Sequence, residues 1–501
     1  MKHPGSGVLR RVAIALAASG FALALPAAAT IEYRVSVAAP SEHILRVTMT
    51  IPDVKSAVDV QMPAWNALYQ IRDFASRVMD VKAHDANGKP LAVAKSDTMT
   101  WRISGGKSVV VSYGVLWDEQ GPFATQLNSE HAFLNLAMAL FYVPDRRDEE
   151  ARVTFSDLPA GWEIAVALAP DGQAATFRAA GYDELVDAPV EIGRFEQFRF
   201  TVGRARIRVV VHGTSWRRET LEAKLRRIVE YQVTLMEDVP FEEFLFIYHF
   251  DSGGGGMEHA NSTAIHTAGD SNVEGISAHE FFHLWNVKRI RPNTLEPVDY
   301  TRANITRALW FAEGVTNTYE AYTLVRTGMR SAQEFYAGLA GEIAQLEARP
   351  ASRWKNAEEA SLDAWLESYR VYRRPELSIS YYNKGEILGV LLDILIRDAS
   401  DNRKSLDHVM RHLNAEYAQR GRYYEDSAGI RKAIEKITGV SFADFFARYV
   451  AGAEPLPYED ILRRAGLGFT QEGDGVRIEE LPQATERQRR LRAGLLRGST
   501  D

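Results

Sequence analysis

The chain has 501 residues and a mass of 56.1 kDa, room for several domains with cores of their own. Hydrophobic residues make up 46 % and charged residues 25 %, a globular balance rather than a disordered one. A net charge of −7 offers no basic face for nucleic acid, and the absence of cysteine excludes disulfides, thiolate metal sites, iron–sulfur clusters, a cysteine nucleophile and an acylated lipoprotein anchor.

In chain order, the first element is an address. Lys2, Arg10 and Arg11 precede an apolar run from Val12 to Leu25, then Pro26 and three alanines. That run is too short to cross a bilayer, which takes roughly 20 residues. The pattern predicts a signal peptide over residues 1–29, cut after Ala29, and hence an exported chain: secreted, or periplasmic in a Gram-negative cell. No later stretch is long and apolar enough to span a membrane.

From Thr30 to about Val202 the period is two. Ile31, Tyr33, Val35 and Val37 alternate with polar residues, as do Leu45, Val47, Met49 and Ile51. A further strand is predicted over 108–116, with Asn87-Gly88 and Gly105-Gly106 as turns, so this part reads as an all-β module. A strand over 207–211, an amphipathic helix over 219–237 and a strand over 244–250 follow. The last runs into Gly253-Gly254-Gly255-Gly256, expected to form no regular element but to let backbone approach a ligand. Beyond residue 275 helices dominate. Ser331 and Glu334 form a capping-box pattern, 387–396 reads as a buried helix, and helices are expected over 406–418, 427–437 and 442–450. From about Pro457 the chain is polar and Arg-rich, with few core residues expected.

The chemistry concentrates at His279-Glu280-Phe281-Phe282-His283. On a helix, residues four apart share a face, so both imidazoles can hold one ion while Glu280 reaches its water. The bland alternative is a histidine pair satisfied by helix neighbours. A catalytic zinc takes a third ligand, His, Asp or Glu. Glu313 is offered within Trp310-Phe311-Ala312-Glu313-Gly314-Val315, where an unpaired buried carboxylate is costly. Glu320, two turns on, suits an acceptor for a ligand-histidine N–H, or is an ordinary surface glutamate. In Gly255-Gly256-Met257-Glu258-His259, a carboxylate on a cleft-lining strand can hold a substrate amine. In Tyr381-Tyr382-Asn383-Lys384-Gly385, a tyrosine hydroxyl can stabilise an oxyanion.

Together GGMEH, HEFFHLWNVKRIRP, LWFAEGVTNTYE and SYYNKG, in this order along the chain, resemble metallopeptidase family sixty-one, the glycyl aminopeptidase type, within the gluzincin aminopeptidases. Pro63-Ala64-Trp65, the run from Tyr69 to Ala75, and Tyr182 to Asp187 are similar to that family's N-terminal domain. The resemblance implies an α+β multidomain chain: an all-β domain over 30–205, a thermolysin-like zincin domain over 206–375 and a helical extension over 376–456; family members often end in a PDZ domain, and 457–501 reads here as a tail or a truncated PDZ remnant. It implies His279, His283 and Glu313 as Zn2+ ligands, Glu280 as general base and Tyr382 as oxyanion donor. It also implies Glu258 as amine anchor, with Gly255 and Gly256 beside it in substrate binding. The expected reaction is removal of N-terminal Gly or Ala from peptides with a free N-terminus. Two rivals remain, a zinc endopeptidase on the same scaffold and an inactive zinc-stabilised binding protein. The chain departs from the family at Asn66-Ala67, where Pro-Gly is usual, and at His259, where larger relatives carry asparagine.

Overall fold

A computed structural model of the chain describes residues 30–498, apart from 67, 68, 252 and 474. The expected signal peptide at 1–29, the expected cleavage point and Ala67 lie outside the described residues.

The N-terminal module is β-rich. Ile31–Ser36 pairs in parallel with Ala151–Ser156 and antiparallel with Ile44–Ile51, within a seven-stranded sheet. Its alternating residues are buried and exposed in turn, as the period of two requires. A three-stranded sheet and a four-stranded sheet complete the module; the latter contains His131–Leu134 beside Val190–Gly193.

The second sheet has five strands in the order Glu196–Val202, Ala205–Gly213, Glu243–Phe250, Ser262–Thr267, Gly255–Glu258. Three central strands are parallel, and the middle one, Glu243–Phe250, is buried along nearly its whole length. Two readings of the sequence are corrected here. Glu196–Val202 pairs with Ala205–Gly213, so this strand belongs to the second sheet and the β module ends before it rather than at 205. The glycine run does form regular structure: Gly255–Glu258 is the antiparallel edge strand, held by Ser262–Thr267. Side chains contribute nothing at Gly255 and Gly256; the ladder with a neighbouring strand supplies the order that sequence alone could not show.

Helix Arg218–Met236 packs against the sheet and against helix Val273–Phe282, which carries the histidine motif. Gln232 ties three elements, its Nε2 donating to Ala278 O at 2.8 Å and to Thr323 Oγ1 at 2.9 Å. Helix Thr316–Arg326 lies alongside, preceded by a π-helical turn over Trp310–Val315. Helix Ala332–Glu347 starts with the expected reciprocal cap between Ser331 and Glu334. Helix Tyr381–Ala399 is the long buried one.

The tail is a further correction. Residues 458–498 fold as a helix Tyr458–Arg464, a hairpin of Leu467–Glu472 with Gly475–Glu480, and a helix Glu486–Arg497. Leu462, Leu467, Ile478 and Leu495 are buried in the same core as the histidine helix, and Leu491 is buried as well. Few apolar residues suffice because they sit on one face of each element while Arg463, Arg477, Arg487 and Arg490 stay exposed.

Candidate active site and metal centre

The helix bearing the motif places His279 and His283 one turn apart, with Nε2 atoms 2.9 Å from each other. Glu313 Oε2 lies 3.2 Å from His283 Nε2 and 3.7 Å from His279 Nε2. The proton positions explain this convergence. His283 Nδ1 faces the Asn286 carbonyl at 2.6 Å, which makes it the protonated nitrogen and leaves a lone pair on Nε2. On the far side of His279, Nδ1 faces Glu320 Oε2 at 4.0 Å. Two lone pairs and a carboxylate crowded together in a buried space require a cation. The residues present therefore fit a metal ion with two imidazoles and one carboxylate.

Local sequence fixes each ligand. Asn286 Nδ2 donates to Phe311 O at 2.9 Å, and Thr316 Oγ1 lies 3.2 Å from the Asn286 carbonyl. These bonds fasten the end of the histidine helix to the π-helical turn that presents Glu313. Gly314 and Gly385 meet backbone to backbone: a Cβ on Gly314 would strike Gly385 Cα, and one on Gly385 would strike the Trp310 carbonyl. The glycines after Glu313 and Lys384 thus set the distance between the third ligand and Tyr382. Glu313 is 3 % exposed. Burial pushes its carboxyl up, but His283 and His279 outweigh this and hold it well below the usual carboxylate range.

Glu280 lies on the cleft side of the same helix. A Cβ on Gly256 would strike its carboxylate, so only glycine lets the edge strand come this close. Its Oε2 is buried and has no hydrogen-bond partner among the described residues. Burial pushes its carboxyl up to about 7. Glu258 shares this cluster with Glu280 and His283, each offering an oxygen or nitrogen within 4.8 Å of the others. Tyr382 stacks on His279 with ring centres 6.3 Å apart. Burial, then the Glu313 carboxylate, holds its phenol well above the usual value, so it stays a hydrogen-bond donor.

One pocket is lined by Gly256, Glu258, His279, Glu280, His283, Glu313 and Tyr382. Gly255 is not on this wall; it lies under the rings of Phe123 and Pro122. Glu320 stands behind His279, its carboxylate against Gly275. The sequence reading missed several residues. Tyr69, Gln70 and Phe123 reach the pocket from the N-terminal module, and Glu367 and Tyr381 from the helical side. Tyr69 meets Trp365 edge-on at 5.9 Å, as Trp65 does at 5.1 Å, and Trp65 Nε1 donates to Asp299 O at 2.8 Å. Nothing in the local pattern of the run from Tyr69 to Ala75 signals a cleft wall. Asp187 was also overlooked in this role. It receives Lys288 Nζ at 2.6 Å and the Ala260 N–H at 2.8 Å, with His259 Nδ1 at 3.3 Å, locking the loop after Glu258.

A five-stranded mixed sheet over a helix with His-Glu-x-x-His, joined to a β module and helical extension, is the fold of the zincin aminopeptidases. The family profile of the peptidase M61 N-terminal domain matches residues 32–194, and that of the M61 glycyl aminopeptidase matches 272–388. The chain belongs to the M61 peptidases. An aminopeptidase N family protein from Idiomarina loihiensis is similar in structure, with a TM-score of 0.84 and 25% identity over 88% of this chain and 79% of that one. An M1 zinc metallopeptidase from Deinococcus radiodurans shares the fold at a TM-score of 0.55 and 13% identity, over 86% of this chain and 95% of that one. A variant of that enzyme bound to a Tyr-Ser-Ala substrate aligns with a TM-score of 0.54 and 13% identity, over the same shares of the two chains. No curated protein matches the chain by sequence.

Proposed function

We propose that this peptidase is an exported zinc aminopeptidase that removes a small N-terminal residue, Gly or Ala, from peptides. The observation that carries the reading is Glu258, a carboxylate on the edge strand within the same cluster as Glu280 and His283. An anchor for a free amine at that place puts the first peptide carbonyl beside the metal ligands and gives exopeptidase cleavage. His279, His283 and Glu313 would hold the zinc, which when bound supplies an activated water at neutral pH and polarises the carbonyl. Glu280 takes the proton of the attacking water and delivers it to the leaving amine, a task suited to a carboxyl raised to about 7. Tyr382 donates its hydroxyl proton in a hydrogen bond to the developing oxyanion. Glu320, 4.0 Å behind His279 Nδ1, supplies a negative charge on that side of the ring. Export rests on the N-terminal pattern of Lys2, Arg10, Arg11 and the apolar run.

The test compares an alanyl peptide with its N-acetylated form, for the parent and for Glu258→Ala. The parent should cut only the free form, and Glu258→Ala should lose most of that preference. Equal cleavage of both forms by the parent would show an endopeptidase.

A further inference from the structure

Away from the catalytic centre, His131, His212, His249 and His266 gather in a layer between the N-terminal module and the catalytic sheet. His131 and Glu191 come from neighbouring strands of the module; His249 comes from the central strand Glu243–Phe250. We propose that His131, Glu191 and His249 form a second site for a divalent cation of the zinc type, clamping the module onto the catalytic sheet.

Both oxygens of Glu191 take part. Oε1 lies 2.9 Å from His131 Nδ1, and Oε2 lies 2.9 Å from His249 Nε2. The carboxylate thus lies between the two rings, with one donor atom from each residue within 4.8 Å of the others. Ligand distances of about 2.0–2.2 Å to zinc are reached from such a set by small side-chain movements. All three residues are buried, and Glu191 is 0 % exposed. Imidazole and carboxylate donors without thiolate suit zinc, cobalt or nickel.

The proton inventory favours a cation over a plain hydrogen bond. Gln126 Nε2 donates to Asp118 Oδ1 at 3.2 Å, which turns the Gln126 carbonyl oxygen toward His131. His131 Nε2 donates to that oxygen, also at 3.2 Å. The single proton of a neutral His131 is thereby placed on Nε2, and Nδ1 aims a lone pair at a carboxylate oxygen. That contact is repulsive without a positive charge between the two atoms. His283 shows the same signature in the catalytic centre, where a carbonyl fixes one ring nitrogen as donor and frees the other. Glu191 is sealed among these rings, so its negative charge needs a positive partner within the layer. Neighbouring rings keep the geometry rigid: His212 stacks on His131 and His266 on His249, each pair 4.2 Å between centres, with Asp251 beside His266. The rival occupant is a second proton on His131, which would make the pair a simple ion pair.

Counting zinc separates them. The chain is stripped with chelator, reloaded with Zn2+ alone, desalted, and its metal measured by plasma mass spectrometry. The parent should hold two zinc ions, His279→Ala/His283→Ala one, and the same variant with added His131→Asn none. The variant His279→Ala/His283→Ala leaves the buried layer untouched, so it decides the matter even if His131→Asn folds poorly. Zinc should raise the Tm of that variant, and Co2+ in its place should give a visible d–d band. A single zinc in the parent and none in His279→Ala/His283→Ala overturns the proposal and leaves the proton-held ion pair.

Discussion

Two imidazoles and a carboxylate meet twice in this chain, and the two meetings are built differently. His279 and His283 are four residues apart on one helix, and a glutamate from the next helical segment completes them beside an open cleft. His131, Glu191 and His249 come from three strands spread over more than a hundred residues and are sealed between sheets. The first set has a pocket wall, an orphaned carboxylate oxygen on Glu280 and a tyrosine aimed from another helix. The second has ring stacking on both flanks and no partner for chemistry. On the proposed reading, similar donors serve turnover where the protein leaves access, and cohesion where it does not.

That contrast can be broken by substitution. The largest effect is expected from Glu280→Gln, which should keep its zinc and lower kcat by roughly 10²–10⁴, the range of general-base catalysis. Loss of zinc from this variant would reassign Glu280 as a ligand. Tyr382→Phe should lower kcat by about 10²–10³ with a smaller change in KM, because the lost hydrogen bond belongs to the transition state. An unchanged kcat would remove Tyr382 from the reaction. In the sealed layer, His131→Asn should lower the Tm while leaving turnover per catalytic zinc near the parent value.

Gly385→Ala sharpens the comparison from the other side. Its Cβ would press on the Trp310 carbonyl, moving the Glu313 turn away from Tyr382. Overpacking of this kind costs about 1–3 kcal/mol. Denaturant melts should show the loss, and metal affinity should weaken in step with it. Affinity equal to the parent's would mean that the glycine contact does not set the third ligand.

The smallest effect concerns Asp187. Burial pushes its carboxyl up, but Lys288 and His259 hold it far below the usual aspartate value. A carboxylate depressed in the folded state stabilises above its unfolded pKa, and the contribution disappears as pH falls toward the folded value. The stability difference between the parent and Asp187→Asn should thus be flat from pH 5 to 8 and shrink below about pH 4. Urea melts at several pH values measure it; a difference that grows on acidification would contradict the assignment.

The catalytic centre was legible because helix periodicity brings residues four apart together, so spacing in sequence is spacing in space. Glu313 was legible too, as a charge stranded among Trp310, Phe311 and Val315. The strand Gly255–Glu258 was not, since glycines carry no pattern and the order comes from Ser262–Thr267. Tyr69 and Phe123 were hidden for a similar reason: domain docking brings them to the pocket, and no local period records docking. The same holds for His131 and His249, which only sheet topology unites. The docked tail was underestimated because a handful of apolar residues, Leu491 and Leu495 among them, are enough when one helix face is buried.

The central claim is tested most directly by hydrolysis of glycyl- and alanyl-p-nitroanilide by the zinc-loaded chain, with Glu280→Gln run beside it. The account predicts release of nitroaniline by the parent and a rate at least about 100-fold lower for the variant. Equal rates for the two, or no turnover by a parent whose catalytic site is fully loaded with zinc, would contradict it.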